Sequence, residues 1–162
     1  MQTHNDCLAG KTISKVLPVL IAGILALAPS AAFAKTLYVD AAAGSDATTY
    51  AANSASAPWR SIGRAAWGST NRSAPNANEA ARAGDVVMIA AGTYTTVGQN
   101  NRWGVAYNPA NEGTAGSPIR FQTSGVTNLT FSSGAGPMIG SNNRNYLQWS
   151  GFTISEATAP TV

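Results

Sequence analysis

A chain of 162 residues carries ten Lys and Arg against seven Asp and Glu, a formal net charge of +3, with only 10% of its residues charged. So thin and nearly balanced a charge excludes a nucleic-acid binder with a dense basic face and a polybasic membrane-surface protein. A single cysteine, Cys7, excludes an internal disulfide, so the fold rests on packing and backbone ladders.

The first 34 residues read as a targeting segment. Lys11 and Lys15 precede an apolar run over residues 16–28, and Ala32 and Ala34 supply the A-x-A pattern of a signal-peptidase site. Cleavage is expected after Ala34. A membrane anchor is the alternative, but a span needs about 20 apolar residues and this run is shorter. Removal takes away Cys7 and the one histidine, His4, and leaves residues 35–162, with eight basic and six acidic side chains. The product is expected to be secreted, extracellular or periplasmic, with no membrane attachment after cleavage.

Residues 36–40, Thr-Leu-Tyr-Val-Asp, form a short predicted strand, and residues 41–57 a loop of small residues. Pro58 suits the first turn of a helix, with Ser56 outside it as a cap. Trp59, Ile62, Gly63 and Ala66 share one face of that helix, and Arg60 and Arg64 share the other. Asn76 followed by Glu79 predicts a second, brief helix to Ala83, ended by Gly84. The strand over 85–90 is apolar on both faces, through Val87 and Ile89 on one and Val86 and Met88 on the other. A long polar loop over 95–117 follows. Alternation then predicts strands at 118–123 and 126–131, a short apolar step at Met138 and Ile139, a strand at 145–150, and a further pair at Phe152 and Ile154.

Val87 and Ile119 stand 32 positions apart, and Ile119 and Leu147 stand 28 apart. Repeats of that period, built of short strands and Gly, Asn and Ser turns, point to a solenoid. A sandwich is the alternative, but its strands ordinarily come as tight hairpins, and the loops here are longer and uneven.

In order, these segments resemble the N-terminal part of secreted right-handed parallel β-helix proteins, the group of pectate-lyase-like and alginate- or chondroitin-lyase-like enzymes. Leu37-Tyr38-Val39-Asp40 with Gly44-Ser45-Asp46 resembles the opening strand and loop of that group. Ala57-Pro58-Trp59-Arg60-Ser61-Ile62 resembles its capping helix. Ala83-Gly84-Asp85-Val86-Val87 through Gly92-Thr93-Tyr94 resembles the first coil. Gly113 through Ile119 resembles the lead into the next coil, and Tyr146-Leu147 through Ile154 the one after that. The fold implied is an all-β, right-handed parallel β-helix (solenoid): residues 35–84 form strand, loop and capping helix, and 85–162 the first coils. The join over 67–79 is longer than usual for the group. Such proteins run on for many more coils, so this chain is expected to be truncated. Past Ile154 nothing resembles a cap, and self-association through the open C-terminal coil is expected.

The resemblance implies a partner polysaccharide, uronic-acid-containing in the lyases, and cleavage by β-elimination. That chemistry takes a Lys or Arg base and Ca²⁺ against the substrate carboxylate. In the lyases those groups sit on later coils, so no catalytic residue carries over. The segment is expected to be inactive by itself and to hold no cofactor, with Ca²⁺ reserved for a full-length relative. A non-catalytic module of a surface or adhesion protein remains the alternative.

From the residues themselves, the candidate binding groups are Arg102, Trp103, Tyr107 and Arg144: aromatic rings to stack on sugars, guanidinium groups to meet carboxylates. The plainer reading of Trp103 and Tyr107 is packing of a loop over the sheet. Asp40, Asp46 and Asp85 are expected to hold turns through side-chain hydrogen bonds. Trp59 and Trp149 fit core or cap positions, and Asn128 heads an N-x-T sequon on a predicted strand.

Overall fold

The computed structural model describes residues 34–96, 107–131, 139–141 and 143–156. All of them belong to the second of two units in the chain, Ala32–Val162. Residues 1–33, nearly all of the segment expected to be a targeting leader, lie outside the described residues, as do Arg102, Trp103 and Met138. No helix among the described residues is long and apolar enough to cross a membrane.

Among the described residues five strands make one sheet: β1 (Thr36–Val39), β2 (Val86–Ile89), β3 (Gly92–Thr96), β4 (Ile119–Phe131) and β5 (Leu147–Glu156). Every pairing is parallel, in the order β1-β2-β4-β3 with β5 on the other edge of β4, and the sheet curls into a half-barrel. Regular structure among the described residues is thus mostly strand, with almost no helix. Parallel neighbours need long connections, which is why the strands recur at wide spacing without hairpins.

Register puts like against like. Leu37 pairs with Val87, Val87 with Phe121, and Phe121 with Trp149. Side chains two apart share a face, so Val39 and Ile89 join this inward column, and Leu37, Val39, Val87, Ile89 and Phe121 are all at most 1% exposed. Phe121 and Trp149 stack flat, with ring centroids 4.0 Å apart and planes inclined by 8°. β2 is asymmetric: its Val87 face is buried, while Val86 and Met88 are only half-covered.

β4 is twice the length of a typical strand because it turns a corner within itself. Its first half pairs with β2, its second with β3, and the register shifts between Gln122 and Thr127. The two short strands expected at 118–123 and 126–131 are therefore one bent strand. β5 bends likewise at Gly151, whose φ of 83° lies in the left-handed region. A Cβ there would collide with the Thr123 side chain on the strand beside it. β3 occupies residues expected as turn and loop; Tyr94, 4% exposed, anchors it with a hydroxyl that donates to the Ala90 carbonyl at 3.0 Å.

The helical segments are shorter than the sequence suggests. Helix α1 is Ile62–Trp67, capped by Ser61, whose hydroxyl accepts from the Arg64 amide, rather than by Ser56. Trp59 does not enter the helix. Its amide donates to the Tyr38 carbonyl at 2.9 Å and its carbonyl accepts from Asp40 at 2.8 Å, so it bridges to the sheet edge at Val39. The cause is Asp46: its carboxylate accepts from the amides of Arg60 and Ser61 at 2.9 Å each and from the Ser61 hydroxyl at 2.7 Å, which fixes the helix start there. The second helix is a single 3₁₀ turn, Ala77–Glu79, and Gly84 instead closes the turn into β2 with a φ of 88°.

The core gathers the inward column with Trp59, Ile62 and Ala65 at one end and Tyr94, Tyr107 and Leu129 around the bend. Phe121 sits at the centre of it. Phe121→Ala is expected to lower the unfolding free energy by about 3–5 kcal/mol, the cost of deleting a buried aromatic, read as a lower urea midpoint at unchanged slope.

Candidate functional site

The turns that lead into successive strands stack at one side of the sheet. Arg82 precedes β2, Asn111 and Glu112 precede β4, and Arg144 precedes β5. The turns are tied to one another by backbone bonds: Gly84 N–H to the Ser117 carbonyl at 2.9 Å, and Gly113 N–H to the Asn145 carbonyl at 3.0 Å. Together they line an open cleft of about 390 Å³.

The cleft is polar and bears two guanidinium groups. Arg82 donates to the Asn78 carbonyl and lies over the Tyr50 ring, 4.2 Å from its centroid. With five N–H donors, a guanidinium so held keeps donors to spare. Arg144 is exposed, and its turn is set by its own amide donating to the Ser141 carbonyl at 2.7 Å. Asn111 braces the floor, donating to the carbonyls of Ala77 and Ala81 at 2.8 and 2.9 Å. Glu112 accepts long bonds of 3.4 Å from the Asn145 amide and side chain. The arrangement suits a ligand with carboxylates for the arginines and hydroxyls for Asn111 and Glu112.

Of the residues singled out in the sequence, Arg144 therefore lines this cleft, with Tyr146 nearby at 53% exposure. Arg102 and Trp103 lie outside the described residues. Tyr107 is 3% exposed and is held between two rings, Trp67 at 6.3 Å and Trp149 at 6.4 Å between centroids. Its backbone bridges to Ile139. It thus serves as a packing anchor and borders a smaller cleft of about 230 Å³ that Asp46, Ser61 and Trp67 also line. Arg82 was not singled out. Its signal is positional: Arg82 stands five residues before Val87, and Arg144 five before Trp149, and Val87, Phe121 and Trp149 occupy one column of the ladder.

The acidic side chains beneath the sheet have structural work. Asp40 accepts from the amides of Ala42 and Ala43 at 2.8 and 3.0 Å. Arg64, placed by helical periodicity on an outer face, is in fact buried at 5% exposure. It reaches the carbonyls of Asp46, Thr48 and Glu79, and pairs with the Glu79 carboxylate at 2.7 Å. Glu79 also accepts from the Tyr50 amide at 2.7 Å. That bond, joined by the Arg64 guanidinium, holds the Glu79 carboxyl below its usual range against the opposing effect of burial. Burial, and then the bond its hydroxyl gives Asp85, push the Tyr50 phenol up to about 12. Among the described residues no group of three or more His, Cys, Asp and Glu side chains is placed to hold a metal.

No family model, no curated protein and no solved structure matches the chain.

The Glu79 pair sets an acid limit. A carboxyl whose folded pKa is depressed contributes stability above its unfolded value, about 4.3, and loses it as pH falls through the folded value. Glu79→Gln is expected to flatten the decline in thermal midpoint below that pH, measured from pH 7 to pH 2.5 by circular dichroism.

Proposed function

We propose that this chain is the cap-bearing start of an exported right-handed parallel β-helix, resembling the pectate-lyase-like group, and that it binds acidic polysaccharide in the Arg82–Arg144 cleft. Support for the fold comes from the parallel, in-register pairing of three bent passes, β2 with β3, β4, and β5. The observation that carries the function is the pair of guanidinium groups brought to one open cleft by turns 62 positions apart in sequence. A uronic-acid chain offers carboxylates at regular intervals along an extended, hydroxyl-rich ligand, which is what two arginines flanking Asn111 and Glu112 recognise.

Binding without cleavage fits the described residues better than catalysis. Asp40, Asp46, Glu79 and Asp85 are engaged in the hydrogen bonds of turns and caps. That favours a carbohydrate-binding module, with any β-elimination residing on other coils and any Ca²⁺ with it; the same feature also accommodates a surface or adhesion protein.

Affinity electrophoresis through polygalacturonate gels tests the reading. Wild-type protein is expected to be retarded, and the Arg82→Ala, Arg144→Ala double variant to bind about tenfold more weakly, the equivalent of about 1.4 kcal/mol. Arg60→Ala with Arg120→Ala, which removes the same charge elsewhere, is the control. Equal retardation of the two double variants would remove the cleft from consideration.

The proposal extends to self-association. Among the described residues β5 is paired on one edge only, by β4, and its Ile154 is 54% exposed. Free parallel edges recruit further strands. Ile154→Lys is expected to shift sedimentation velocity profiles from oligomer toward monomer.

A further inference from the structure

The backbone nitrogen of Lys35, where the chain enters β1, donates to the Asp85 carboxylate at 2.9 Å. Asp85 is 1% exposed. Its other donors are the Arg82 amide at 2.9 Å and the Tyr50 hydroxyl at 2.8 Å. All three are neutral. The nearby cations point elsewhere: the Lys35 ammonium donates to the carbonyls of Tyr50 and Ala51 at 2.7 and 2.9 Å, and the Arg82 guanidinium to the Asn78 carbonyl. Among the described residues the ion pair is Arg64 with Glu79, not one with Asp85. A carboxylate so deeply buried ordinarily has a paired cation.

We propose that Asp85 is a receptor for the α-amino group created when the chain is cut between Ala34 and Lys35. The inference rests on the signal-peptidase reading of residues 31–34, and is independent of any polysaccharide. In the cut, water opens the C–N bond; its oxygen joins the Ala34 carbonyl carbon to give a carboxylate, and both its hydrogens end on the Lys35 nitrogen. An amide N–H 2.9 Å from Asp85 thus becomes an ammonium against the same oxygen. One atom already in place changes from a neutral donor to a cation, with little rearrangement. Ala34 is exposed, so its departure uncovers no core.

The consequence is a link between processing and stability. Asp85 braces the turn into β2, and its carbonyl accepts from the Arg120 amide at 3.0 Å, so it touches β1, β2 and β4 together. The uncut chain holds that junction by neutral bonds alone; the cut chain holds it by an ion pair. Stability is then completed only after the leader is gone, when premature folding no longer obstructs export.

The test replaces residues 31–34 of the full chain with a factor Xa site that releases Lys35 as the first residue. Thermal unfolding is compared before and after cutting. The midpoint is expected to rise by about 5 °C at pH 6. Pairing raises the α-amino pKa, so the gain is full below its ordinary value of about 8 and is lost as pH rises through the folded value. The charged and titratable groups facing the new amine are Asp85, Tyr50, Arg82 and the Lys35 side chain, with Glu79 and Arg64 behind Tyr50, and the same groups are present before and after the cut. Asp85→Asn is expected to abolish the gain. Should that variant fail to fold, a site that releases Gly before Lys35 displaces the ammonium by one residue and is expected to give no gain. Peptide-mapped reductive methylation at pH 7 separates the two amines of Lys35: Nα is expected to react several-fold more slowly than in the Gly-extended protein. No rise in midpoint on cutting, or an equal rise in the Gly-extended protein, overturns the proposal. Intact mass of the exported protein is expected to begin at Lys35, and a different start overturns natural processing at this bond while leaving the engineered cut to judge the ion pair.

Discussion

Everything in this molecule depends on the parallel ladder keeping one phase. Because alternate residues face opposite ways, a slip of one position would turn Leu37, Val87 and Phe121 out to solvent and bring Tyr38, Met88 and Gln122 in. The buried column excludes that slip, and the flat stack of Phe121 on Trp149 carries the same phase into β5. The bends at the middle of β4 and at Gly151 then fall side by side, so both halves of each pass stay paired. The turns ahead of the strands inherit the alignment. Arg82 and Arg144 share a cleft because the ladder places them there, with no direct contact between them to do so.

A second layer of order comes from charged and polar groups under the sheet. Asp46 sets where α1 begins, Arg64 ties the helix to the 3₁₀ turn through Glu79, and Asp85 joins the first residues of β1 to the turn before β2. Each of the three carboxylates accepts from backbone amides of the loop or turn it holds. Loops rich in Ala, Ser and Asn, with little apolar surface of their own, are held in place by these few side chains.

The strands were legible where residues alternate: 36–39, 86–89 and 119–123 follow directly from Leu37, Val87, Phe121 and their neighbours. The parallel arrangement followed from the wide spacing. β3 was not legible, because Gly92-Thr93-Tyr94 has the composition of a turn and becomes strand only when Leu129 and the rest of β4 lie beside it. Nor was the helix start, since Pro58 and Trp59 suit a first turn well, and only the reach of Asp46 across the loop moves it to Ser61. Arg64 shows the limit of periodicity: its position on a helix wheel points outward, but a helix of six residues lying beside a loop has no true outer face. Of the candidate site, Arg144 was visible as an arginine beside an aromatic, whereas its pairing with Arg82 depends on strand register, which local composition does not encode.

The double engagement of β4 has a kinetic side. Its amides and carbonyls are paired to β2 and β3 on one side and to β5 on the other, whereas β1, β3 and β5 each pair with a single strand among the described residues, β1 having Trp59 at its other edge. Opening β4 requires the whole sheet to part, while β5 can peel away by itself. Deuterium in the solvent would therefore enter the backbone from the outermost strand inward, reaching residues 119–123 last, as a cooperative unit whose release coincides with global unfolding.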